Sequence, residues 1–324
     1  MKRLAACLTV ALLALAGCTA LPGLGGDVSP PGVEDGELAN ESALLEAHVD
    51  ERGDSYEVTS VYEETAGGTT TTDEERIVVA DGSVFADREA TANGSTTMTV
   101  QAFANESFAA SRLDRGDGPN FGLGSRYGPG ESHGAAGQYD LLRLADFRTA
   151  GRTTVNGERV ARLRADGFVE NASVDADLES ATLLVGGDGL VHELDYTLLD
   201  YAGSDELHRT VTLTDSDVDS APTPDWTGDA RAALPTADLD VRTTSDGYVA
   251  IDHTGGDTFT ARIRVEDQLF TRENFGEGQS LFVGTTGDNY ELSSIQQGDP
   301  LESGVEITVE GVVNRKHATV NVTG

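Results

Sequence analysis

The sequence predicts a mainly β protein of the α+β class, in which a long antiparallel meander with one or two helices precedes a small C-terminal β-sandwich. Three observations predict it. From Ser55 onward, apolar and polar residues alternate with a period of two, which is typical of half-buried strands. Asp81-Gly82 and Asn93-Gly94 lie between such segments, and these pairs favour tight hairpin turns. Only two stretches have apolar residues at helical spacing.

The first residues predict an exported protein with a lipid anchor. Lys2 and Arg3 precede an apolar run, so residues 1–17 have the layout of a secretory signal peptide. The run is shorter than the about 20 residues that span a bilayer. It ends in Leu15-Ala16-Gly17-Cys18, which resembles the lipobox of bacterial and archaeal lipoproteins. The resemblance implies that the Cys18 thiol receives a diacyl- or dialkylglyceryl group and that cleavage leaves Cys18 as the first residue.

The use of cysteine supports this interpretation. Cys7 lies inside the apolar run and Cys18 at its end, so the mature chain keeps one thiol and forms no internal disulfide. The alternative is an ordinary signal peptide with a chance cysteine near its end. Two hydrocarbon chains, at about 0.8 kcal/mol per buried CH₂, anchor a protein firmly where one chain anchors it marginally. We therefore expect the membrane as a partner, through Cys18, at the outer face of the cell.

The chain is strongly acidic. It has 56 Asp and Glu against 22 Lys and Arg, for a formal net charge of −34. Dense salt screens such repulsion, because the Debye length falls to about 3 Å at 1 M. The composition resembles that of haloarchaeal proteins; the alternatives are an acidic mesophilic protein or a disordered chain, and 38% hydrophobic residues argue against disorder. The net negative charge would repel nucleic acid and anionic lipid headgroups, and we expect no basic stripe that offsets this repulsion.

Composition changes along the chain predict further segments. Residues 18–36 are rich in Gly and Pro and read as a flexible tether after the signal peptide. Residues 37–220 form the α+β domain. Residues 221–236 contain three prolines and are expected to be a linker. Residues 237–324 have short strand patterns between glycine turns and form the predicted β-sandwich.

Two helices are predicted in the α+β domain. Asn40 is a suitable N-cap, apolar residues follow at helical spacing, and Gly53 ends the pattern. The second candidate extends from Gln138 to Phe147.

Short motifs resemble a family of haloarchaeal lipoproteins: the lipobox, Pro30-Pro31-Gly32-Val33, the stretch from Leu45 to His48, and Ser55-Tyr56. The order of helix, meander, second helix and closing hairpins is similar to that of the outer-membrane lipoprotein carrier and of mycobacterial lipid-binding lipoproteins. This resemblance implies a strongly curved half-barrel sheet, wrapped around the helices, with an apolar groove for acyl chains. The stretch 248–257 resembles the β-domain of archaeal pilins and other archaeal surface proteins, which implies an extracellular sandwich.

The groove implied by this resemblance would be lined by apolar helix faces. His48 shares such a face and would point into the groove; the alternative is a core histidine with satisfied hydrogen bonds. The candidate liners are Leu44, Leu45, His48, Leu141, Leu142 and Phe147.

The sequence argues against an enzyme. Residues 130–134 fit the G-x-S-x-G pattern around Ser132, but that motif needs a strand before the serine and a helix after it. Asp215, Asp217 and Asp219 alternate as in a calcium loop without the glycine and glutamate that an EF-hand requires. The six histidines lack metal-binding spacing. We expect no cofactor and no metal.

Sequons for N-glycosylation occur at five positions, and in an exported protein each is a candidate glycan site. They are Asn40, Asn93, Asn105, Asn171 and Asn321.

Together these patterns predict a membrane-anchored surface lipoprotein that binds a lipid or another hydrophobic molecule. The alternative is a structural or adhesive envelope protein with a filled core and no small ligand. The two hypotheses differ in one respect: binding requires space between the sheet and its helices, whereas a structural role allows close packing. The sequence does not identify a protein partner.

Overall fold

The computed structural model describes residues 28–123 and 139–319, except for residues 171, 173, 267, 288 and 315. The predicted signal peptide, Cys18, Ser132 and the sequons at Asn171 and Asn321 lie outside the described residues. The described chain is mainly β and antiparallel, as predicted. No helix in these ranges is both long and apolar enough to cross a membrane.

One large sheet contains the first thirteen strands of the described chain. Its spatial order is β1-β2-β9-β10-β11-β12-β13-β3-β4-β5-β6-β7-β8, so β13 pairs with β3 in the middle of the sheet. The strands are β1 (Val33–Glu34), β2 (Glu37–Leu38), β3 (Tyr56–Ala66), β4 (Thr69–Ala80), β5 (Ser83–Ala92), β6 (Ser95–Asn105), β7 (Phe108–Asp114), β8 (Pro119–Leu123), β9 (Arg148–Val155), β10 (Glu158–Ala165), β11 (Asp177–Val185), β12 (Val191–Leu199) and β13 (Glu206–Asp215).

The hairpin turns at Asp81-Gly82 and Asn93-Gly94 form where the sequence predicts them, and Asn156-Gly157 forms a third turn of the same kind. Asp81, Asn93 and Asn156 have φ angles of 50°, 48° and 49°, and the glycine after each also has a positive φ. Two successive positive φ values match the right-handed twist of the flanking strands, which is why Asn-Gly and Asp-Gly pairs occur there.

Two short helices and one longer helix accompany the strands: α1 (Glu41–Arg52), α2 (Leu141–Leu144) and α3 (Thr227–Ala233). The prediction of α1 is confirmed: the side chain of Asn40 accepts a hydrogen bond from the Ala43 N–H at 3.1 Å, and Gly53 at φ 67° ends the helix. The second helix is shorter than predicted. Its extension is prevented because Ala145 forms a β-bridge with Phe168, which captures the backbone in an extended conformation.

The large sheet has two faces with separate apolar clusters. The inner face, which carries Tyr56, Val58 and Leu163, packs against α1 and α2. The outer face carries Phe85 and Phe103. Strand alternation produces both faces, since successive side chains of one strand point to opposite sides.

The C-terminal part contains two four-stranded antiparallel sheets, with orders β14-β15-β18-β19 and β17-β16-β20-β21. Buried residues from both sheets, including Ile251 and Ile263, form one hydrophobic cluster. The strands are β14 (Ala237–Thr243), β15 (Val249–Gly256), β16 (Phe259–Val265), β17 (Gln268–Phe275), β18 (Ser280–Thr286), β19 (Asn289–Ser293), β20 (Glu306–Glu310) and β21 (Lys316–Thr319).

The segment expected to be a linker, residues 221–236, contains α3 and packs against the outer face. Trp226 is buried there, and its indole N–H donates a hydrogen bond to the Gln101 side chain at 2.9 Å. Val313 belongs to the same apolar cluster and its N–H bonds the Pro235 carbonyl at 3.0 Å. These contacts attach the C-terminal sheets to the large sheet, so this segment is an ordered packing element.

Candidate functional site

The structure brings all six predicted groove residues together on the inner face. Four of them are buried members of one hydrophobic cluster, and the fifth buried residue, His48, contacts the Tyr139 ring of that cluster. Leu45 is partly buried and packs against the cluster. The buried five are Leu44, His48, Leu141, Leu142 and Phe147.

These residues form a packed core in this structure. Leu44 and His48 of α1 and Leu163, Leu183 and Leu194 of the sheet each have 0% exposure, so no water-sized space touches them. Side chains from β10, β11 and β12 fill the region that the resemblance assigned to an open groove. Protein interiors reach this density when strand side chains and helix side chains interdigitate. The six residues are therefore neighbours in one packed region, and that they line a ligand groove stays a prediction.

The buried stripe of α1 is unusually polar. Leu44, His48 and Arg52 lie at a spacing of four residues and are buried, while Val49 is 41% exposed. A helix normally docks with an apolar stripe. Here Leu44 is the one apolar residue among the three buried residues, and its burial contributes about 2 kcal/mol.

Arg52 is a buried cation without a compensating anion. Its guanidinium carbon lies 3.8 Å from the centroid of the Tyr56 ring, and its side chain Nε and Nη1 atoms are buried without a hydrogen-bond partner. No carboxylate in the described part of the chain lies within ion-pair distance of it. A cation–π contact contributes about 0.5–2 kcal/mol, which is less than the several kcal/mol that burial of an unpaired charge costs.

One of the two ring nitrogens of His48 has a hydrogen-bond partner and the other has none. Its Nδ1 accepts a hydrogen bond from the Val191 N–H at 3.2 Å, which places the proton of the neutral ring on Nε2. Nε2 is buried without a partner, and the ring meets Tyr139 edge-on at 5.1 Å. Burial, followed by the charge of Arg52 and by His192, lowers the pKa of His48 to about 4. The imidazole is therefore neutral near pH 7.

The aromatic neighbours of Arg52 supply no negative charge, and Asp54, which adds to burial in raising the pKa of Tyr56, forms no ion pair with Arg52 in the described chain. Burial raises the pKa of Tyr139 to about 12, so its phenol stays protonated. We call Arg52, His48, Tyr56 and Tyr139 the Arg52 cluster. It holds one positive charge and unsatisfied N–H donors next to the apolar cluster of the inner face, an arrangement suited to an anion attached to an apolar chain.

A second concave site lies on the outer face and was not foreseen from the sequence. It is a pocket of about 450 Å³ between strands β5 to β8 and the segment before α3. The rings of Phe121 and Trp226, 6.1 Å apart, and the polar side chains of Gln101 and Arg112 are part of its lining. The sequence signal that could have indicated this site is its one tryptophan, Trp226, which follows Pro222 and Pro224.

Three candidate glycan sites lie in the described chain. Asn40 and Asn93 are exposed and Asn105 is half-buried. The side-chain oxygen of each accepts a backbone hydrogen bond, from Ala43, Thr70 and Ser107 respectively. The residues are held in caps and turns, and glycan attachment stays a prediction.

Comparisons with known proteins yield weak similarities. No protein-family model matches the sequence, and a search of curated proteins finds no match. Among solved structures, LprF from Mycobacterium bovis is 11% identical, with a TM-score of 0.32, and covers 56% of this chain and 95% of its own. The Mycobacterium tuberculosis lipoprotein LppX is 14% identical, with a TM-score of 0.31 over 54% of this chain and 95% of its own.

A DUF1329 family protein from Desulfovibrio piger is 10% identical, with a TM-score of 0.24 over 57% of this chain and 95% of its own. Scores of this size carry no functional conclusion for this chain. The resemblance to haloarchaeal lipoproteins stays a prediction.

Proposed function

We propose that this chain is a lipoprotein anchored through Cys18 at the outer face of the cell membrane. It binds an anionic amphiphile between α1 and the inner face of its sheet. The half-barrel shape around the helices and the sandwich packing of the C-terminal sheets belong to this proposal. The protein acts by binding and carries out no catalysis. One observation carries the binding proposal: the buried guanidinium of Arg52 lacks an anionic partner in the described chain.

An anionic headgroup would complete the Arg52 cluster. The sequence offers 56 acidic residues, yet none in the described ranges pairs with this guanidinium. Arginine binds phosphate and carboxylate groups through two parallel N–H donors, and such charge-assisted bonds are about twice as strong as neutral ones. A ligand anion would therefore remove a penalty that the ligand-free protein carries.

The apolar part of the ligand would occupy the region beneath α1. Each CH₂ group buried there contributes about 0.8 kcal/mol. The burial of three or four CH₂ groups therefore contributes more than the about 2 kcal/mol that the burial of Leu44 contributes to holding α1 on the sheet. Gly53, at φ 67°, ends α1 and provides a flexible joint at the end nearest Arg52. Displacement of α1 about this joint would expose Leu163 and Leu183 to the ligand.

Native mass spectrometry tests the proposal. The full chain is purified from its native membranes at high salt, together with Arg52→Gln and with Arg231→Gln as a matched control. Arg231 also lies over an aromatic ring, Phe108 at 4.5 Å, but on the outer face. We expect a copurifying anionic lipid on the wild type and on the control, and its loss from Arg52→Gln. A bare mass for all three proteins would refute ligand binding.

The closed inner face favours a second candidate function. The closed cluster that contains Leu44 and Leu183, both at 0% exposure, is compatible with a structural or adhesive envelope protein. In that case the chain carries no amphiphile, and Arg52 serves only to hold α1 on Tyr56. The bare mass in the experiment above is the result that this alternative predicts.

A further inference from the structure

Arginine is concentrated in one short region of this acidic chain. Residues 143–164 contain six arginines and two acidic residues, a local charge of +4 in a chain with a net charge of −34. The arginines are at positions 143, 148, 152, 159, 162 and 164, and all six are exposed. The expectation that no basic stripe exists is wrong, because the overall excess of carboxylates hid this local reversal.

Three of these arginines share the outer face of β9 and β10. Arg164 pairs directly with Arg148 across the two strands, and Arg162 lies two residues before Arg164, on the same side. Like charges at directly opposed positions are destabilising. Arg162 and Arg164 form no ion pair within the part of the chain that the structure describes. We call Arg148, Arg162 and Arg164 the arginine patch.

Three acids lie near the patch, and one of them, Asp166, lines a pocket with Arg148 and Arg164 without forming an ion pair to either in the described chain. Arg148 lies 3.3 Å from a Glu37 oxygen and 3.0 Å from an Asp146 oxygen, and these carboxylates are 55% and 49% exposed. Exposed pairs of this kind contribute about 0–1 kcal/mol and exchange readily for other partners. The patch therefore remains available to an external anion.

Elsewhere the outer face becomes acidic. Glu193 of β12 lies two strands away, in line with Arg162, and Asp195 lies in line with Arg164. Burial raises the pKa of Glu193, and the charge of the neighbouring Asp195 adds to that shift. Other arginines of the outer face, including Arg112 of β7 and Arg231 over Phe108, lie toward the opposite end of the strand order from β9 and β10.

The arginine patch lies beside the point where the chain enters the body. Val28, the first described residue, approaches Gly187, and a Cβ at Gly187 would lie 3.7 Å from it. The neighbouring Gly186 lies against Glu158, the first residue of β10. Arg162 and Arg164 follow Glu158 by four and six residues, or about 13 and 20 Å along the strand. From Cys18 to Val28 the chain reaches at most about 36 Å.

We infer that the arginine patch docks the body of the protein on an anionic membrane surface, with its guanidinium groups bound to headgroup phosphates. The inference rests on the proposed anchorage through Cys18, which places the patch within reach of the headgroups. Each arginine near an anionic surface strengthens binding about fivefold, so three give about 100-fold. The acidic remainder of the outer face would be repelled, which fixes the orientation of the body.

Vesicle sedimentation of the mature chain, residues 18–324, with Cys18→Ser tests the docking, since neither the apolar signal peptide nor a lipid anchor then contributes. Vesicles of phosphatidylcholine alone are compared with vesicles that also contain phosphatidylglycerol. The salt concentration is the lowest at which circular dichroism shows the folded spectrum. We expect binding to the anionic vesicles, and about 100-fold weaker binding for the triple variant Arg148→Gln, Arg162→Gln, Arg164→Gln.

Two further variants separate docking from folding and from net charge. The triple variant Arg262→Gln, Arg264→Gln, Arg272→Gln makes the same charge change on β16 and β17 and should bind as before. Lysine at the three patch positions should retain most of the binding. Equal loss in both glutamine triples, or no preference for anionic vesicles, would overturn the inference. Loss of the Cys18 anchor or of the Arg52 ligand would not affect this assay, so a failure here is distinct from a failure of the proposed function.

Discussion

Replacing Arg52 by methionine removes a buried positive charge and keeps a side chain of similar length over Tyr56. The unpaired guanidinium costs the folded state several kcal/mol by burial, and its contact with the Tyr56 ring, at 3.8 Å, returns about 2 kcal/mol at most. Methionine has no polar donors to leave unsatisfied. We therefore expect Arg52→Met to stabilise the ligand-free protein by about 1–3 kcal/mol.

Urea denaturation at constant high salt measures this change, with the amphiphile first removed by extraction. Arg231→Met is the control, because Arg231 is exposed over Phe108 and its replacement should change the free energy of unfolding by less than about 0.5 kcal/mol. The same Arg52→Met protein should no longer bind the amphiphile. A loss of stability above about 1 kcal/mol in the extracted Arg52→Met protein would show that the guanidinium is already compensated, and the reasoning for a ligand anion would be refuted.

Three further predictions concern single residues. The pKa of His48 is lowered to about 4 from 6.5, so the unfolded chain takes up a proton that the folded chain excludes; stability is complete above pH 6.5 and decreases by about 3 kcal/mol as the pH falls to about 4. The difference between the wild type and His48→Gln in denaturation at several pH values isolates this contribution, and parallel profiles would contradict it. Trp226→Phe leaves the Gln101 side chain without its donor and should lower the free energy of unfolding by about 1–2 kcal/mol, measured by urea denaturation followed by circular dichroism. Gly32→Ala should destabilise by more than about 2 kcal/mol, because a Cβ there would lie 2.1 Å from a backbone oxygen at φ 78°, whereas Gly68→Ala, at φ 82° with open space, should cost about 1 kcal/mol in thermal melts.

Local patterns in the sequence predicted the local structure well. The cap at Asn40, the stop at Gly53 and the turn at Asn93-Gly94 depend on residues that are close along the chain, and the structure has all three. The second helix is shorter than predicted because Ala145, at its end, forms a β-bridge with Phe168, which is more than 20 residues away along the chain. A helical pattern alone contains no information on such a competing strand contact.

The candidate site was predicted in part. The six apolar-face residues do come together, since helical spacing places them on faces that seek the sheet. Whether space remains between them depends on how deeply Leu163 and Leu183 reach inward, and this is set by pairing across the whole sheet. Arg52 was missed because a charged residue at the end of a helix ordinarily remains in water. The region that contains the arginine patch was visible as six arginines in 22 residues, but the net charge of −34 obscured it.

Photo-cross-linking with an anionic amphiphile that carries a photoreactive group in its acyl chain tests the central claim most directly. The full chain, in detergent at high salt, is irradiated with the probe and digested, and the labelled peptides are identified by mass spectrometry. We predict labels in α1 and in β10 and β11, prevented by excess unlabelled amphiphile and lost in Arg52→Met. Labelling around Trp226 on the outer face, or labelling that excess amphiphile does not reduce, would contradict a binding site beneath α1.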